Sequence, residues 1–258
     1  MTGLIALPIL LLFIGAAPYW LFAGFVTLSC AQGLREFYAI SLPETRRLDG
    51  LVATLAGVLL VLVVGVYPQW VGACLTLALI GCAFWFLWRY QDLAEVMPVV
   101  GMVLLGWLYL PLMLGQLIAL HRLESGRSLV FLVVAIIFAS DTFAYFVGVS
   151  CGRRPLYPAI SPKKSMEGSL GGLAGSLVAA LLVKWTLLPI LSTGDAVLLG
   201  LGLGAVGQAG DLFESMIKRA GGVKDSGTLF PGHGGILDRL DSLLFAFPLA
   251  YLYAQTML

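Results

Sequence analysis

Acidic residues flank a glycine-rich segment near the C-terminus, and their spacing indicates metal and phosphate chemistry. Ser215 and Lys218 follow Asp211 by four and seven residues, so one helix face would carry a carboxylate, a hydroxyl and a cation. Asp238 and Asp241 would share a face in the first turn of the next helix, where the helix dipole favours acids. Mg²⁺ prefers oxygen ligands and commonly shares them with phosphate and water. The three aspartates are therefore predicted to bind a metal ion, directly or through groups that contact it.

The segment between these acidic residues is predicted to form a tight turn. Residues 231–235 read Pro-Gly-His-Gly-Gly. Backbone N–H groups of glycine can approach a phosphate closely, because no Cβ stands in the way. Gly234 and Gly235 are therefore predicted phosphate contacts. Two interpretations of His233 stay open, a general acid or phosphate contact and a structural hydrogen-bond donor.

A second polar segment, 161–168, precedes another glycine-rich stretch. It offers two adjacent lysines and several hydroxyls just before a predicted helix start, and helix N-termini bind phosphate well. The predicted phosphate-binding residues of this segment are Ser161, Lys163, Lys164, Ser165, Glu167 and Gly168. The alternative is an ordinary positively charged loop on the cytoplasmic side of a membrane.

Asp141 lies within the apolar run 129–147. An ionisable residue at such depth in a membrane is costly, and it indicates a functional site. Tyr145 follows by one helical turn and is a candidate partner. The alternative is a hydrogen bond that only packs helices together.

The composition indicates that these residues belong to a membrane protein. Of the 258 residues, 60% are hydrophobic and 11% are charged, which leaves too little polar surface for a water-soluble globule. The chain is therefore predicted to be an all-α integral membrane protein. Apolar runs that can cross about 30 Å of hydrocarbon predict about nine transmembrane helices, at 3–16, 18–34, 51–67, 71–88, 98–120, 129–147, 169–190, 195–217 and 240–257.

These helices are predicted to form one polytopic membrane domain over residues 1–258. Residues 1–128 would form the N-terminal helices, and residues 129–258 would form the helices and cytoplasmic loops with the motifs. The apolar stretch 3–34 is interrupted around Pro18, so one kinked helix and two separate helices both stay open.

The distribution of positive charge predicts the orientation of the chain. With a cytoplasmic N-terminus, most of the 15 Lys and Arg residues fall in cytoplasmic loops, whereas Arg122 and Arg127 lie outside. Positive charge favours the cytoplasmic side, so the N-terminus and the motif charges are predicted to be cytoplasmic. The net charge of +1 and the lack of a basic arm argue against a nucleic-acid partner.

The motifs resemble the signature of the phosphatidate cytidylyltransferases, or CDP-diacylglycerol synthases. The matching positions are Ser215-x-x-Lys218-Arg219, Lys224-Asp225, His233-Gly234-Gly235 and Asp238-Arg239-x-Asp241. The segment 161–168 and Asp141-x-x-Ala144-Tyr145-x-x-Gly148 are similar to the same family. Ser165, Met166 and Val149 depart from its common threonine, tryptophan and arginine.

This resemblance implies transfer of CMP from CTP to phosphatidic acid, which gives CDP-diacylglycerol and pyrophosphate. It further implies Mg²⁺, alone or with a second cation, and a homodimer in the bacterial inner membrane with a cytoplasmic-facing site. The implied catalytic residues are Asp211, Lys218, Arg219, Lys224, Asp225, His233, Asp238, Arg239 and Asp241. Ser215 and Asp141 would join the residues of segment 161–168, Gly234 and Gly235 in binding substrate.

Two other functions compete with this interpretation. A CTP-dependent transferase acting on another lipid, such as an ether lipid or a polyprenol, would need the same headgroup chemistry. A transporter or channel would place several ionisable residues near the bilayer midplane and show repeat symmetry. Transport is disfavoured, because Asp141 is the clearly intramembrane charge and the other motif charges lie at one face.

Overall fold

The computed structural model describes residues 11–89, 92–229 and 234–257. Within these ranges the chain forms nine α-helices longer than two turns and one small β-hairpin. The helices are α1 (Tyr19–Ser41), α2 (Arg47–Val66), α3 (Val71–Arg89), α4 (Leu93–Tyr109), α5 (Pro111–Arg122), α6 (Gly126–Cys151), α7 (Met166–Thr186), α8 (Thr193–Ala220) and α9 (Leu237–Met257). The strands are β1 (Pro155–Tyr157) and β2 (Ser161–Ser165).

Six helical stretches of the described chain are long and apolar enough to cross a membrane. They are Glu44–Val66, Pro68–Arg89, Leu93–Arg122, Gly126–Cys151, Met166–Thr186 and Thr193–Ala220. The prediction of a mostly helical membrane protein is thereby confirmed. The count of nine spans and the cytoplasmic N-terminus remain predictions. The strictly all-α prediction is corrected by the β-hairpin.

Prolines interrupt two of the apolar stretches. The run 98–120 was predicted as one helix, but α4 and α5 meet at Leu110, because Pro111 has no N–H and its ring crowds the preceding turn. Residues 11–16 are helical and α1 begins after Pro18. The described residues of 3–34 therefore form two helical segments, while residues 1–10 lie outside the described chain.

The helices that carry the motifs pack closely through small residues. Helix α6 packs along α7, α7 along α8, and α8 along α9. A Cβ on Gly175 of α7 would come within 2.5 Å of the Phe143 ring of α6, and a Cβ on Gly204 of α8 would collide with Ser176 of α7. Such small-residue contacts let transmembrane backbones approach. They bring the C-terminal ends of α6 and α8 to the N-terminal ends of α7 and α9.

The β-hairpin closes this end of the bundle between α6 and α7. Strands β1 and β2 are antiparallel, with Pro155 opposite Ser165 and Tyr157 opposite Ser161. The side chain of Ser165 then caps α7 by accepting a hydrogen bond from the Gly168 N–H at 3.1 Å. The hairpin thus places the two lysines of β2 beside the ends of α6, α8 and α9.

Candidate active site

A largely buried lysine links the last turn of α8 to the first turn of α9. The Nζ of Lys218 lies 2.6 Å from Glu214 Oε2 and 2.6 Å from Asp238 Oδ1. The Glu214 side chain is fully buried, and that of Lys218 is 12% exposed. Removing one partner from such a group leaves an uncompensated buried charge, which is strongly unfavourable. Glu214 is absent from the predicted site residues, although its position one turn before Lys218 is a signal that could have found it.

Asp238 has partners on both carboxylate oxygens. Its Oδ2 accepts hydrogen bonds from the Ser226 N–H, the Ser226 hydroxyl and the Gly235 N–H, each at 2.8 Å. Its Oδ1 accepts from Lys218. Asp238 precedes the predicted span 240–257. Burial raises the pKa of its carboxyl, but the hydrogen bonds from Lys218, Gly235 and Ser226 outweigh burial and lower that pKa from 3.8 to about 2. At neutral pH this carboxylate is ionised and fully engaged.

Two glycines let the loop before α9 approach these carboxylates. Gly234 has φ +77°, in the left-handed region that glycine favours, and a Cβ there would come within 3.0 Å of Asp238 Cγ. A Cβ on Gly235 would collide with the side chains of Glu36 and Ser226. Both glycines were predicted to contact phosphate, whereas the Gly235 N–H is used here by Asp238. His233 lies outside the described residues, and its role stays a prediction.

Glu36 on α1 belongs to the same group and was not predicted. It is buried, with 5% of its surface exposed. Its Oε2 accepts hydrogen bonds from the Leu237 N–H at 2.9 Å and the Ser226 hydroxyl at 3.0 Å. Its Oε1 accepts from the Ile236 N–H at 3.1 Å and from Gln32 Nε2 at 3.0 Å. A residue of the N-terminal half thus caps the start of α9.

The predicted helix ended too early to reveal Glu36. The apolar run stops at residue 34, and the charges that follow were interpreted as a connector, but α1 continues to Ser41. Glu36 is the second residue beyond the predicted end, and its carboxylate contacts the Ile236 and Leu237 N–H groups at the start of α9. The signal that could have found Glu36 is an acidic residue at the end of one predicted helix together with another predicted helix, α9, whose first N–H groups have no capping side chain before them.

A second charged group joins β2 to α6, α8 and α9. Lys164 Nζ forms an ion pair with Asp211 Oδ2. Asp141 and Asp241 lie near enough for their charges to act on Asp211 and to be acted on by Lys164. The side chains of Lys164 and Asp211 are 31% and 27% exposed, and Asp141 is exposed. Three carboxylates therefore face one lysine at a surface that a ligand can reach. Tyr145, the candidate partner of Asp141, is 66% exposed.

The residues of this second group fit a cation by charge. Three carboxylates that repel one another are relieved by a bound cation, and Mg²⁺ prefers such oxygen ligands. Within residues 11–89, 92–229 and 234–257, no group of three His, Cys, Asp or Glu side chains has a geometry that could hold a metal ion. The Lys164 ammonium already occupies one Asp211 oxygen that a metal would need. The third predicted ligand, Asp238, lies in the buried group.

Several residues of segment 161–168 have structural partners. Glu167 Oε2 accepts hydrogen bonds from the backbone N–H groups of Arg153 and Arg154, at 3.0 and 3.1 Å. Ser165 and Gly168 form the cap of α7 with each other, and Ser161 pairs within the hairpin. Their predicted contacts with phosphate stay predictions. In the structure the hydrogen bonds of Glu167, Ser165 and Gly168 stabilise the hairpin that carries Lys163 and Lys164.

The remaining predicted residues surround the two charged groups. Ser215 Oγ lies 3.5 Å from Asp211 Oδ1. Arg219 donates to the backbone oxygens of Val223 at 3.1 Å and Ile160 at 3.4 Å, and so ties the loop after α8 to the hairpin. The predicted residues that are exposed are Asp141, Lys163, Arg219, Lys224, Asp225 and Arg239. The exposed lysines of this set, Lys163 and Lys224, can approach an anionic substrate from solvent.

The sequence pattern of a known family matches nearly the whole chain. The match covers residues 1–257 and the family is described as the Cytidylyltransferase family. The chain belongs to the cytidylyltransferase family. The motif resemblance found from the residues is thereby confirmed.

Individual relatives of this cytidylyltransferase carry a more specific name. The chain is 41% identical over 153 residues to "Phosphatidate cytidylyltransferase" of Bacillus subtilis (strain 168), covering 59% of this chain and 57% of that protein. It is 47% identical over 138 residues to the protein of that name from Synechocystis sp., covering 54% and 47%. The chain thus spans about half the length of these two relatives. A protein of that name from Staphylococcus haemolyticus is 32% identical over 259 residues, covering 95% and 92%.

The two charged groups give this cytidylyltransferase two different chemical capacities. The group of Lys164 and Asp211 is partly exposed and has an excess of negative charge, which favours a cation by charge, and the nearby lysines favour a phosphate. The group of Lys218, Asp238 and Glu36 is largely buried, and the carboxylates of Asp238 and Glu36 accept hydrogen bonds from Lys218, Ser226, Gln32 and backbone N–H groups. It can hold the ends of α8 and α9 in place beside the first group.

Proposed function

We propose that this protein is a phosphatidate cytidylyltransferase, which transfers CMP from CTP to phosphatidic acid and releases pyrophosphate. The observation that carries the proposal is the convergence of Lys164, Asp211, Asp141 and Asp241 at one end of an apolar helical bundle of this family. A lipid substrate suits that location. Its acyl chains can stay in the bilayer while its phosphate reaches the charged end of the bundle.

The nucleophile of this reaction needs little activation by the protein. The phosphate of phosphatidic acid is a monoester whose second pKa is about 6, so it is largely ionised at pH 7. One of its oxygens attacks the α-phosphorus of CTP and forms a new P–O bond. The bond from that phosphorus to the bridging oxygen breaks, and pyrophosphate leaves with the electron pair. Proton transfer to a dedicated base is not required.

The protein must instead neutralise charge, because a dianionic lipid approaches a triphosphate. Lys164 sits at the open group, and Lys163 and Lys224 are exposed on the motif loops. We assign the contacts with the phosphates to these lysines and to Arg219. Lys218 stays largely buried between Glu214 and Asp238, so its contribution is to hold α8 and α9 together.

We assign a divalent cation, Mg²⁺, to Asp211 and Asp241, with Asp141 beside them. A bound cation would stabilise the charge that develops on the leaving pyrophosphate. Asp238 would not bind the cation directly, because both its carboxylate oxygens already accept hydrogen bonds, and it would instead hold the first turn of α9 in place. With a cation at Asp211, Lys164 would no longer pair with that carboxylate, and its ammonium would be available to a phosphate. A second cation stays an open element of this proposal.

The proposal includes the setting of the enzyme. The protein lies in the inner membrane of a bacterium. Its N-terminus and charged groups face the cytoplasm, where CTP is present. The positive-inside distribution of Lys and Arg supports this orientation. A homodimer is proposed from the family resemblance alone.

Purified protein in detergent with CTP, phosphatidic acid and Mg²⁺ tests the activity. CTP-dependent formation of CDP-diacylglycerol and of an equal amount of pyrophosphate is expected. An ether-lipid phosphate and a polyprenyl phosphate serve as competing acceptors in parallel reactions. Faster transfer to either of these would replace phosphatidic acid as the substrate, and no transfer to any acceptor would overturn the proposed function.

A further inference from the structure

We propose that Glu36, in the N-terminal half of the chain, is a positioning residue for nucleotidyl transfer. It acts through Ser226 and the first turn of α9, which together place Asp238 and its partner Lys218. This inference rests on the proposed function. Glu36 is buried and need not touch either substrate.

The carboxylate of Glu36 holds the start of α9 through the backbone N–H groups of that helix. The Leu237 N–H donates to Oε2 at 2.9 Å and the Ile236 N–H donates to Oε1 at 3.1 Å. The first N–H groups of a helix have no partner within the helix. They carry the positive end of the helix dipole, so a carboxylate binds them well. A displacement of Glu36 therefore displaces the helix turn that carries Asp238.

A single hydroxyl connects Glu36 to Asp238. Ser226 Oγ lies 3.0 Å from Glu36 Oε2 and 2.8 Å from Asp238 Oδ2. Since a hydroxyl has one proton, it donates to one of these carboxylates at a time. The Ser226 N–H also donates to Asp238 at 2.8 Å. Asp238 in turn contacts Lys218 at 2.6 Å, so an unbroken series of contacts runs from α1 to α8.

Glycines make this close approach possible. A Cβ on Gly227 would lie 3.0 Å from Glu36 Oε1, and one on Gly235 would collide with Glu36 Oε2. Gln32 orients the carboxylate from within α1, by donating to Oε1 at 3.0 Å. The described donors to Glu36 are all uncharged, and every one outside α1 comes from the motif segment 226–237. The site of this chain thus takes one of its positioning groups from outside the motif segments.

The first experiment replaces Glu36 with its neutral isostere. Gln accepts at one position and presents an NH₂ group to donors that need an acceptor, so Glu36→Gln should displace the first turn of α9. Misplacement by about 1 Å can cost about 100-fold in rate. We expect kcat to fall about 10- to 100-fold, with the KM for CTP and the thermal unfolding midpoint in detergent near those of the wild type.

The matched control is Glu44→Gln, which makes the same chemical change at a carboxylate that is 88% exposed and pairs with Arg47. It should leave kcat unchanged. A wild-type kcat for Glu36→Gln would overturn the proposal. The proposal would also be overturned if the unfolding midpoint fell so far that the loss of folded protein accounted for the whole fall in kcat, because Glu36 would then be a structural residue only.

A double-mutant cycle tests the route through Ser226. If Glu36 acts on Asp238 through this hydroxyl, Ser226→Ala lowers kcat as well, and the combination with Glu36→Gln falls little further than the worse single variant. Fully additive losses would overturn the route. Should Glu36→Gln fail to fold, Ser226→Ala alone carries the prediction, and a wild-type kcat for it would overturn the proposal.

Amide hydrogen exchange separates this inference from the proposed function. Loss of the Glu36 acceptor should speed exchange at Ile236 and Leu237 in Glu36→Gln, whether or not any substrate is turned over. A wild-type protein that makes no CDP-lipid would defeat the proposed function, while exchange would still test the contact. Unchanged exchange at both amides would overturn the positioning role.

Discussion

The two charged groups of this protein are built from the same residue types in opposite ways. In the group of Lys218, three carboxylates from α1, α8 and α9 are largely buried and are held by an ammonium, a hydroxyl and backbone N–H groups. In the group of Lys164, three carboxylates from α6, α8 and α9 share one lysine and remain partly exposed. The buried, paired charges of the first group are suited to holding helices in place, whereas the excess of negative charge in the second group lies at an accessible surface and is suited to binding a cation.

Replacing each lysine by methionine gives the sharpest contrast between the groups. Lys218→Met leaves Glu214 and Asp238 without their cation, and loss of one partner of a buried pair costs about 3–5 kcal/mol. We expect a large fall in the thermal unfolding midpoint of the detergent-solubilised protein. Lys164→Met removes a lysine that is 31% exposed, and should barely change that midpoint. Equal losses of stability would remove the distinction between the groups.

Asp211→Asn should abolish most activity and leave stability nearly unchanged. Asn keeps the shape of the side chain but removes a charge from the proposed cation site, and loss of one group that stabilises developing charge costs about 10²–10³ in kcat. Asp195→Asn, at the opposite end of α8, is the matched control. The measurement is CDP-diacylglycerol formation over a range of Mg²⁺ concentrations. Full activity in Asp211→Asn at low Mg²⁺ would remove Asp211 from the cation site.

The helices that carry the motif residues were predictable, because helical periodicity is local. Asp211 and Lys218 lie on one helix and Asp238 and Asp241 on the next, as predicted. The sequence also indicated that the segments 141–168 and 211–241 belong together, through their resemblance to one family. The structure confirms the membrane class, the family match confirms the resemblance, and Lys164 lies against Asp211, a contact between residues from the two segments.

Relations between distant regions of the chain were not predictable from spacing. Glu36 contacts backbone groups 200 and 201 residues away, and no periodicity encodes such a contact. The sequence also did not show that the charged residues form two separate groups, because Asp238 and Asp241 lie on one helix turn and were expected to act together. In the structure Asp238 contacts Lys218, whereas Asp241 interacts with Asp211 and Asp141. Only packing decides which neighbour each carboxylate meets.

The two lysines of β2 should differ in their effect on substrate binding. Lys164→Ala removes an ammonium that stands at the open group, and a charge-assisted hydrogen bond is worth about 1.5–3 kcal/mol, so the KM for CTP should rise about tenfold or more. Lys163 is more exposed and is not paired with Asp211, so Lys163→Ala should raise that KM less. Steady-state kinetics at saturating phosphatidic acid measures both. A larger effect at Lys163 would transfer the phosphate contact to that residue.

The smallest expected effect concerns acid stability and Asp238. Its pKa in the folded protein is about 2, below the ordinary 3.8, so the unfolded chain takes up this proton at a higher pH than the folded one does. The stabilising contribution of Asp238 is therefore complete above pH 3.8 and is lost as the pH falls toward 2. Ser226→Ala removes one of the hydrogen bonds that lower this pKa, so in that variant the loss should be smaller and should be complete at a higher pH. Unfolding midpoints of both proteins between pH 2 and pH 6 test this, and identical profiles would show that the buried group does not depend on the Ser226 hydroxyl.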